Sequence, residues 1–188
     1  HRDLHSFPTR RSSDLNGNAS AHTAHLVNST LSDLYYATAA GMTALAGPLH
    51  GMANQESLRW LLEIQQRFNG MPSDEELADY TWDTLKRGQV IPGYGHGVLR
   101  HTDPRFIAQV NFAEEYLPND PIFQLAKQVY RVVPRVLGAT GKVKNPYPNI
   151  DAISGTLQHH FGITQLEFYT VLFGISRLMG LCAHGVWA

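Results

Sequence analysis

A chain of 188 residues, 43% of them hydrophobic, has enough apolar mass for one domain with a core or for parts of two. Fifteen Lys plus Arg against 16 Asp plus Glu leave a formal net charge of −1 with no basic stripe, which excludes nucleic acid as an expected partner. The single cysteine, Cys182, excludes an intrachain disulfide framework. The longest apolar stretch, Val171 to Ala183, is interrupted by Arg177 and reads as too short for a membrane span, so a soluble chain is expected.

In chain order, residues 1–15 come first and stand apart. His5-Ser-Phe-Pro-Thr-Arg-Arg-Ser-Ser-Asp-Leu15 resembles a translated sequencing adapter, and the segment is expected to be a non-native leader. Its Arg and Ser would suit a transit peptide, but Asp3, Asp14 and the lack of an amphipathic face count against one. Ala21 to Ala46 is apolar and rich in small residues, fit for close helix packing. Gly51 to Phe68 continues with Met52, Leu58, Leu61, Leu62 and Ile64 at roughly helical spacing. Ser73 and Glu76 form a capping box that opens a helix ending near Gly88. Asp103-Pro104 and Asp120-Pro121 each pair an N-cap residue with Pro at the first helical position. Pro134 falls inside a helical pattern and should kink or break it. Thr164 and Glu167 read as a further capping box before the final apolar helix. Strand signals are nearly absent, so the expected fold class is all-α, with functional loops at helix ends.

Three of those loops carry titratable side chains in bends of Gly and Pro: His50 in Gly47-Pro-Leu-His-Gly51, His96 in Pro92-Gly-Tyr-Gly-His-Gly97, and Asp151 after Asn145-Pro-Tyr-Pro-Asn-Ile150. Gly lets backbone approach a ligand closely, and Pro sets the chain direction. Two imidazole donors and one carboxylate base are the set needed to draw a proton from carbon next to a carbonyl. Taken singly, each has a blander reading. Any one of ten histidines is more often a surface or satisfied core residue, Asp151 alone reads as an N-cap, and Arg177 alone reads as a snorkelling or interdomain side chain. His22 and His25, and His159-His160, lack a nearby carboxylate or Cys, so no metal site is expected. Gly138-Ala-Thr-Gly-Lys142 is too short for a phosphate loop, and Val143 stands where Ser or Thr is required.

The wording of the loops is more specific than their chemistry. Leu45-Ala-Gly-Pro-Leu-His-Gly51, Pro92-Gly-Tyr-Gly-His-Gly-Val-Leu-Arg100 with Thr102-Asp-Pro-Arg105, Lys144-Asn-Pro-Tyr-Pro-Asn-Ile-Asp151 and Phe173-Gly-Ile-Ser-Arg177 resemble the citrate synthase family in its mitochondrial form. The resemblance runs from about Asn16 to the last residue, with the motifs in the family's order. It implies a two-domain helical fold with the active site in the cleft between domains. Residues 16–51 and 163–188 would be parts of the large domain, and 52–162 the small one. It further implies that the first half of a full-length enzyme and its C-terminal tail are missing, so this chain alone is expected to be inactive.

The resemblance assigns roles residue by residue. Asp151 would take a methyl proton from acetyl-CoA, His50 would hydrogen-bond the thioester oxygen, and His96 would polarise the oxaloacetate ketone. Arg105 and Arg177 would hold the two substrate carboxylates, a task for which guanidinium geometry suits Arg over Lys. Val90, Ile91, Gly93, Tyr94, Gly95, Arg100, Lys144 and Asn145 are expected along coenzyme A, which is a substrate, so no cofactor is implied. A homodimer in the mitochondrial matrix is expected of the full-length enzyme. In one departure, Asp151-Ala-Ile-Ser-Gly155 has Ile153 where many members have His. An apolar neighbour to the base leaves 2-methylcitrate synthesis from propionyl-CoA as an alternative, and a noncatalytic helical interaction module as a third.

Overall fold

The computed structural model describes residues 18–48, 50–96 and 99–187; the leader assigned to residues 1–15 lies outside them. Among the described residues the fold is all-α: α1 (Ala19–Asn28), α2 (Leu34–Leu45), α3 (Ala53–Arg67), α4 (Asp74–Lys86), α5 (Pro104–Tyr116), α6 (Pro121–Ala139), α7 (Asp151–His160) and α8 (Glu167–Trp187). The one extended pairing described is an isolated antiparallel bridge between Tyr94 and Pro148. Two compact units result. One takes the described residues up to Met52 and from Glu167 onward, and the other is Ala53–Leu166.

In the first unit α1, α2 and α8 pack pairwise. Small residues make this possible. Ala21 and Ala24 are buried with Leu181, and a Cβ on Gly41 would come within 2.9 Å of Leu181 Cδ1 and 3.0 Å of Ala24 Cβ. The Ala21 to Ala46 stretch is two helices, separated where Leu31 takes a left-handed φ of 59° and Asp33 caps α2 by accepting the Tyr35 N–H. α8 corrects the expectation that the apolar stretch is too short for a membrane. It runs 21 residues, and Glu167–Val186 is long and apolar enough, by length and composition, to cross one. The helix gains length from residues on both sides of the apolar run. Against a span stand Arg177 at its midpoint, which costs ~2.5–3.5 kcal/mol in lipid, and the close packing of Gly174 against Met42.

In the second unit α3 packs on α6 and α7, α4 on α6, and α5 and α6 on α7. α6 supplies much of the core: Ile122, Phe123, Leu125, Ala126, Val129, Val132, Val133, Val136 and Leu137 are all buried. It runs through Pro134 without the break that is one of the two expected outcomes, because this broad apolar face is held by its neighbours after one backbone hydrogen bond is lost. The capping box is present, with Ser73 Oγ accepting the Glu76 N–H and Glu76 accepting the Ser73 N–H. Asp103 and Asp120 cap α5 and α6 with Pro next in line. α8 begins at Glu167, two residues past the Gln165 start that a Thr164 cap requires.

Candidate functional site

His50 and Arg177 belong to the first unit. The turn after α2 delivers His50, with the Gly51 N–H closing back on the Leu45 carbonyl at 2.8 Å. A side chain on Gly51 would collide with that carbonyl, which is why Gly follows the histidine. His50 Nε2 lies 2.8 Å from Oγ of the buried Ser20, and Arg177 Nη1 donates to the same oxygen at 3.1 Å. Phe173, one turn before Arg177 on α8, meets His50 edge to face at 5.9 Å and lies 4.9 Å from the Arg177 guanidinium carbon. Burial, and secondarily the Arg177 charge, hold the His50 imidazole below its ordinary value, so the ring is neutral at neutral pH.

The proton count around Ser20 decides what that ring can offer. Ser20 has one hydroxyl proton, and Asn18 Oδ1 lies 2.7 Å away while also accepting the Ala21 N–H. When Ser20 donates to Asn18, His50 carries its proton on Nε2. When Ser20 donates to Nε2, the neutral ring carries it on Nδ1, as a donor to a ligand.

His96, Arg105 and Asp151 belong to the second unit, and a pair of loops ties them together. Gly95 N–H donates to the Tyr147 carbonyl at 3.0 Å, Asn149 N–H to Gly93 at 2.9 Å, and Asp103 N–H to Pro148 at 3.2 Å. Asp103 joins the pieces. Its carboxylate accepts Nε and Nη2 of Arg105, the latter at 2.7 Å, and Oδ2 also accepts the Ile150 N–H at 3.3 Å. Burial pushes the Asp103 carboxyl up, but the hydrogen bonds and charge of Arg105 outweigh it, and the net shift is downward. The same pair raises Arg105, with a further contribution from the Asp151 charge. The Leu99 N–H donates to His96 Nδ1 at 3.0 Å, which in the neutral ring leaves the proton on Nε2. Asp151 is the first residue of α7 and not its cap. Ile150 occupies the cap position without a side-chain bond, and the Asp151 N–H goes to Asn149 Oδ1 at 2.9 Å.

The coenzyme A candidates divide by burial. Val90, Arg100 and Lys144 are exposed, and Gly95 is half-buried with φ +88°. Ile91 and Gly93 are buried, and Asn145 is committed to backbone, donating to Leu99 and accepting from Tyr147. Burial pushes the Tyr94 hydroxyl upward, and Tyr130 adds to the shift, so it stays protonated. Ile153 is only 1% exposed among core side chains and so presents no surface for an acyl group. Sequence reasoning did not single out Ser20, Asn18, Asp103 as a hub, or Asn149. Asp103 and Asn149 stood inside the quoted motifs, whereas Ser20 lies 30 residues before the histidine it contacts, with no local signal.

A family profile described as citrate synthase, C-terminal domain, matches residues 12–188. The chain is 58% identical over 171 residues to the probable mitochondrial citrate synthase of Glossina morsitans morsitans, covering 91% of this chain and 37% of that protein. It is 56% identical over 172 residues to the mitochondrial citrate synthase of Xiphias gladius, covering 92% and 37%. It thus spans little more than a third of the length of these curated relatives. Among solved structures, the citrate synthase of Thermotoga maritima aligns with a TM-score of 0.76 at 30% identity, over 91% of this chain and 44% of that one. A Thermoplasma acidophilum citrate synthase in ternary complex with carboxymethyl coenzyme A and oxaloacetate aligns at 0.74 and 27% identity, over 90% and 43%. The loops that hold His50, His96 and Asp151 therefore sit in a helical frame shared with these proteins, and the chain belongs to the citrate synthase family.

Proposed function

We propose that the protein containing this chain condenses acetyl-CoA with oxaloacetate and water to give citrate and coenzyme A. The observation that carries this reading is the loop pair of the second unit, where a carboxylate at a helix start, an imidazole and a guanidinium share one hydrogen-bonded frame. The Asp151 carboxylate takes a proton from the acetyl methyl group. His50 donates to the thioester oxygen as charge gathers there, and a neutral imidazole is matched to that task. The new carbon–carbon bond forms at the oxaloacetate ketone, and His96 gives a proton from Nε2 to the resulting alkoxide. Water then cleaves the citryl thioester, releasing coenzyme A.

Arg105 and Arg177 pair with the two oxaloacetate carboxylates. Asp103 occupies Nε and Nη2 of Arg105, which aims the rest of the guanidinium outward from a side chain 62% exposed. Coenzyme A runs along Val90, Tyr94 and Gly95 with Arg100 and Lys144 near its phosphates, and no further cofactor takes part. The names of the relatives support a mitochondrial location. Within it we place the full-length protein in the matrix, as a homodimer with the first unit in its large domain and the second as its small one. The test is thiol release by the full-length protein with oxaloacetate and either acetyl-CoA or propionyl-CoA. Faster turnover of acetyl-CoA is expected. A preference for propionyl-CoA makes 2-methylcitrate the product, and no release with either overturns the reading.

A further inference from the structure

Asn149 sits where the two loops of the second unit cross. Its main-chain N–H donates to Gly93 at 2.9 Å, its side-chain Nδ2 donates to the Gly95 carbonyl at 3.0 Å, and its Oδ1 accepts the Asp151 N–H at 2.9 Å. One residue thus holds the loop leading to His96 and the first helical residue of α7. The Asp151 N–H is one of the donors that a helix start leaves without an intrahelical partner, and Ile150 offers no side chain to cap that end. On the same seam Gly93 has φ +77°, and a Cβ there would come 2.7 Å from both Cα and N of Ala152. The loop therefore rests directly on the α7 backbone. A neutral amide is the group this crossing needs, since it faces one donor and one acceptor at once. A carboxylate would set oxygen against the Gly95 carbonyl.

We propose that Asn149 is a positioning residue for the condensation: it fixes Asp151 and His96 in register, so that base and acid move as one body. This rests on the roles proposed above for those two residues. In the full-length protein, Asn149→Ala is expected to lower the condensation rate by about 10²-fold, the scale of a 1 Å misplacement. Hydrolysis of supplied citryl-CoA, which bypasses proton abstraction, should fall less. Asn149→Asp keeps the shape and brings a second carboxylate beside the base, which raises the apparent pKa of Asp151 and moves the acid limb of the condensation pH profile upward. Unchanged condensation, or equal losses in both steps that track a lowered melting temperature with no shift of the acid limb, overturns the proposal. If the parent protein turns over neither acyl-CoA, the proposed activity has failed, and the clamp is read from amide exchange instead. Loss of protection at the Asp151 N–H in Asn149→Ala supports it, and unchanged protection sinks it.

Discussion

Asp151 enters α7 as its first helical residue, where the partial positive charge of the helix start favours the ionised carboxylate. The residue proposed as the base thus lies in a turn that accommodates negative charge. Asp151→Asn removes no side-chain cap, because the cap position belongs to Ile150, so stability should change by the helix-dipole contribution of ~0.3–1 kcal/mol together with the lost attraction to Arg105. Condensation by the full-length protein should fall by about 10²–10⁴-fold, the usual contribution of a positioned base. Thermal unfolding and exchange of the acetyl methyl protons check the two halves, and a large stability loss with intact exchange would make Asp151 structural. His50 offers a pH test. Its folded value lies below the ordinary 6.5, so the unfolded chain binds the extra proton. Its stabilising contribution is complete above about 6.5 and is lost as pH falls from there toward the lowered folded value. Asp103, with an ordinary value of 3.8 also shifted down, loses its contribution only at more acid pH. Between pH 7.5 and 5.5 the melting temperature should therefore drop, and the drop should shrink in His50→Gln. An equal drop in that variant assigns the effect to other groups.

At the scale of elements, the helix starts carry local hydrogen bonds that can be removed one at a time. α4 is held by the reciprocal bonds of Ser73 and Glu76, and its first residue, Asp74, accepts from Arg131 at 2.7 Å and from Gln128 at 2.9 Å on α6. Ser73→Ala should destabilise the chain by about 1 kcal/mol in denaturant unfolding. Because Glu76 completes the same box, the double variant with Glu76→Ala should lose less than the two single losses added together. Additive losses would mean that the reciprocal bond contributes nothing in solution. Pro134 shows the opposite balance: a local breaker sits inside α6, and the buried apolar face keeps the helix intact.

At the scale of the whole molecule, the first unit leaves a long apolar stripe in the open. Phe168, Val171, Ile175, Leu178 and Met179 on α8 are exposed, the last at 77%, and Tyr35 and Tyr36 on α2 are exposed as well. Patches of this kind promote association. The 188-residue chain should therefore show concentration-dependent light scattering, and Ile175→Lys with Met179→Glu should reduce it. A monodisperse monomer at all concentrations would show that the stripe is tolerated by water.

Where a single turn of chain carries the cause, sequence alone determined the outcome. The capping box of α4, the Asp-Pro starts of α5 and α6 and the all-α class rest on contacts between residues two to four apart. The family wording of the loops singled out His50, His96, Asp151, Arg105 and Arg177 before any geometry was known. Tertiary structure decided the rest, because each of those features depends on partners far along the chain. The passage of α6 through Pro134 follows packing rather than propensity. Ser20 meets Arg177 across 157 residues and Asn149 meets Gly95 across 54, distances at which no periodicity or spacing can announce a hydrogen bond.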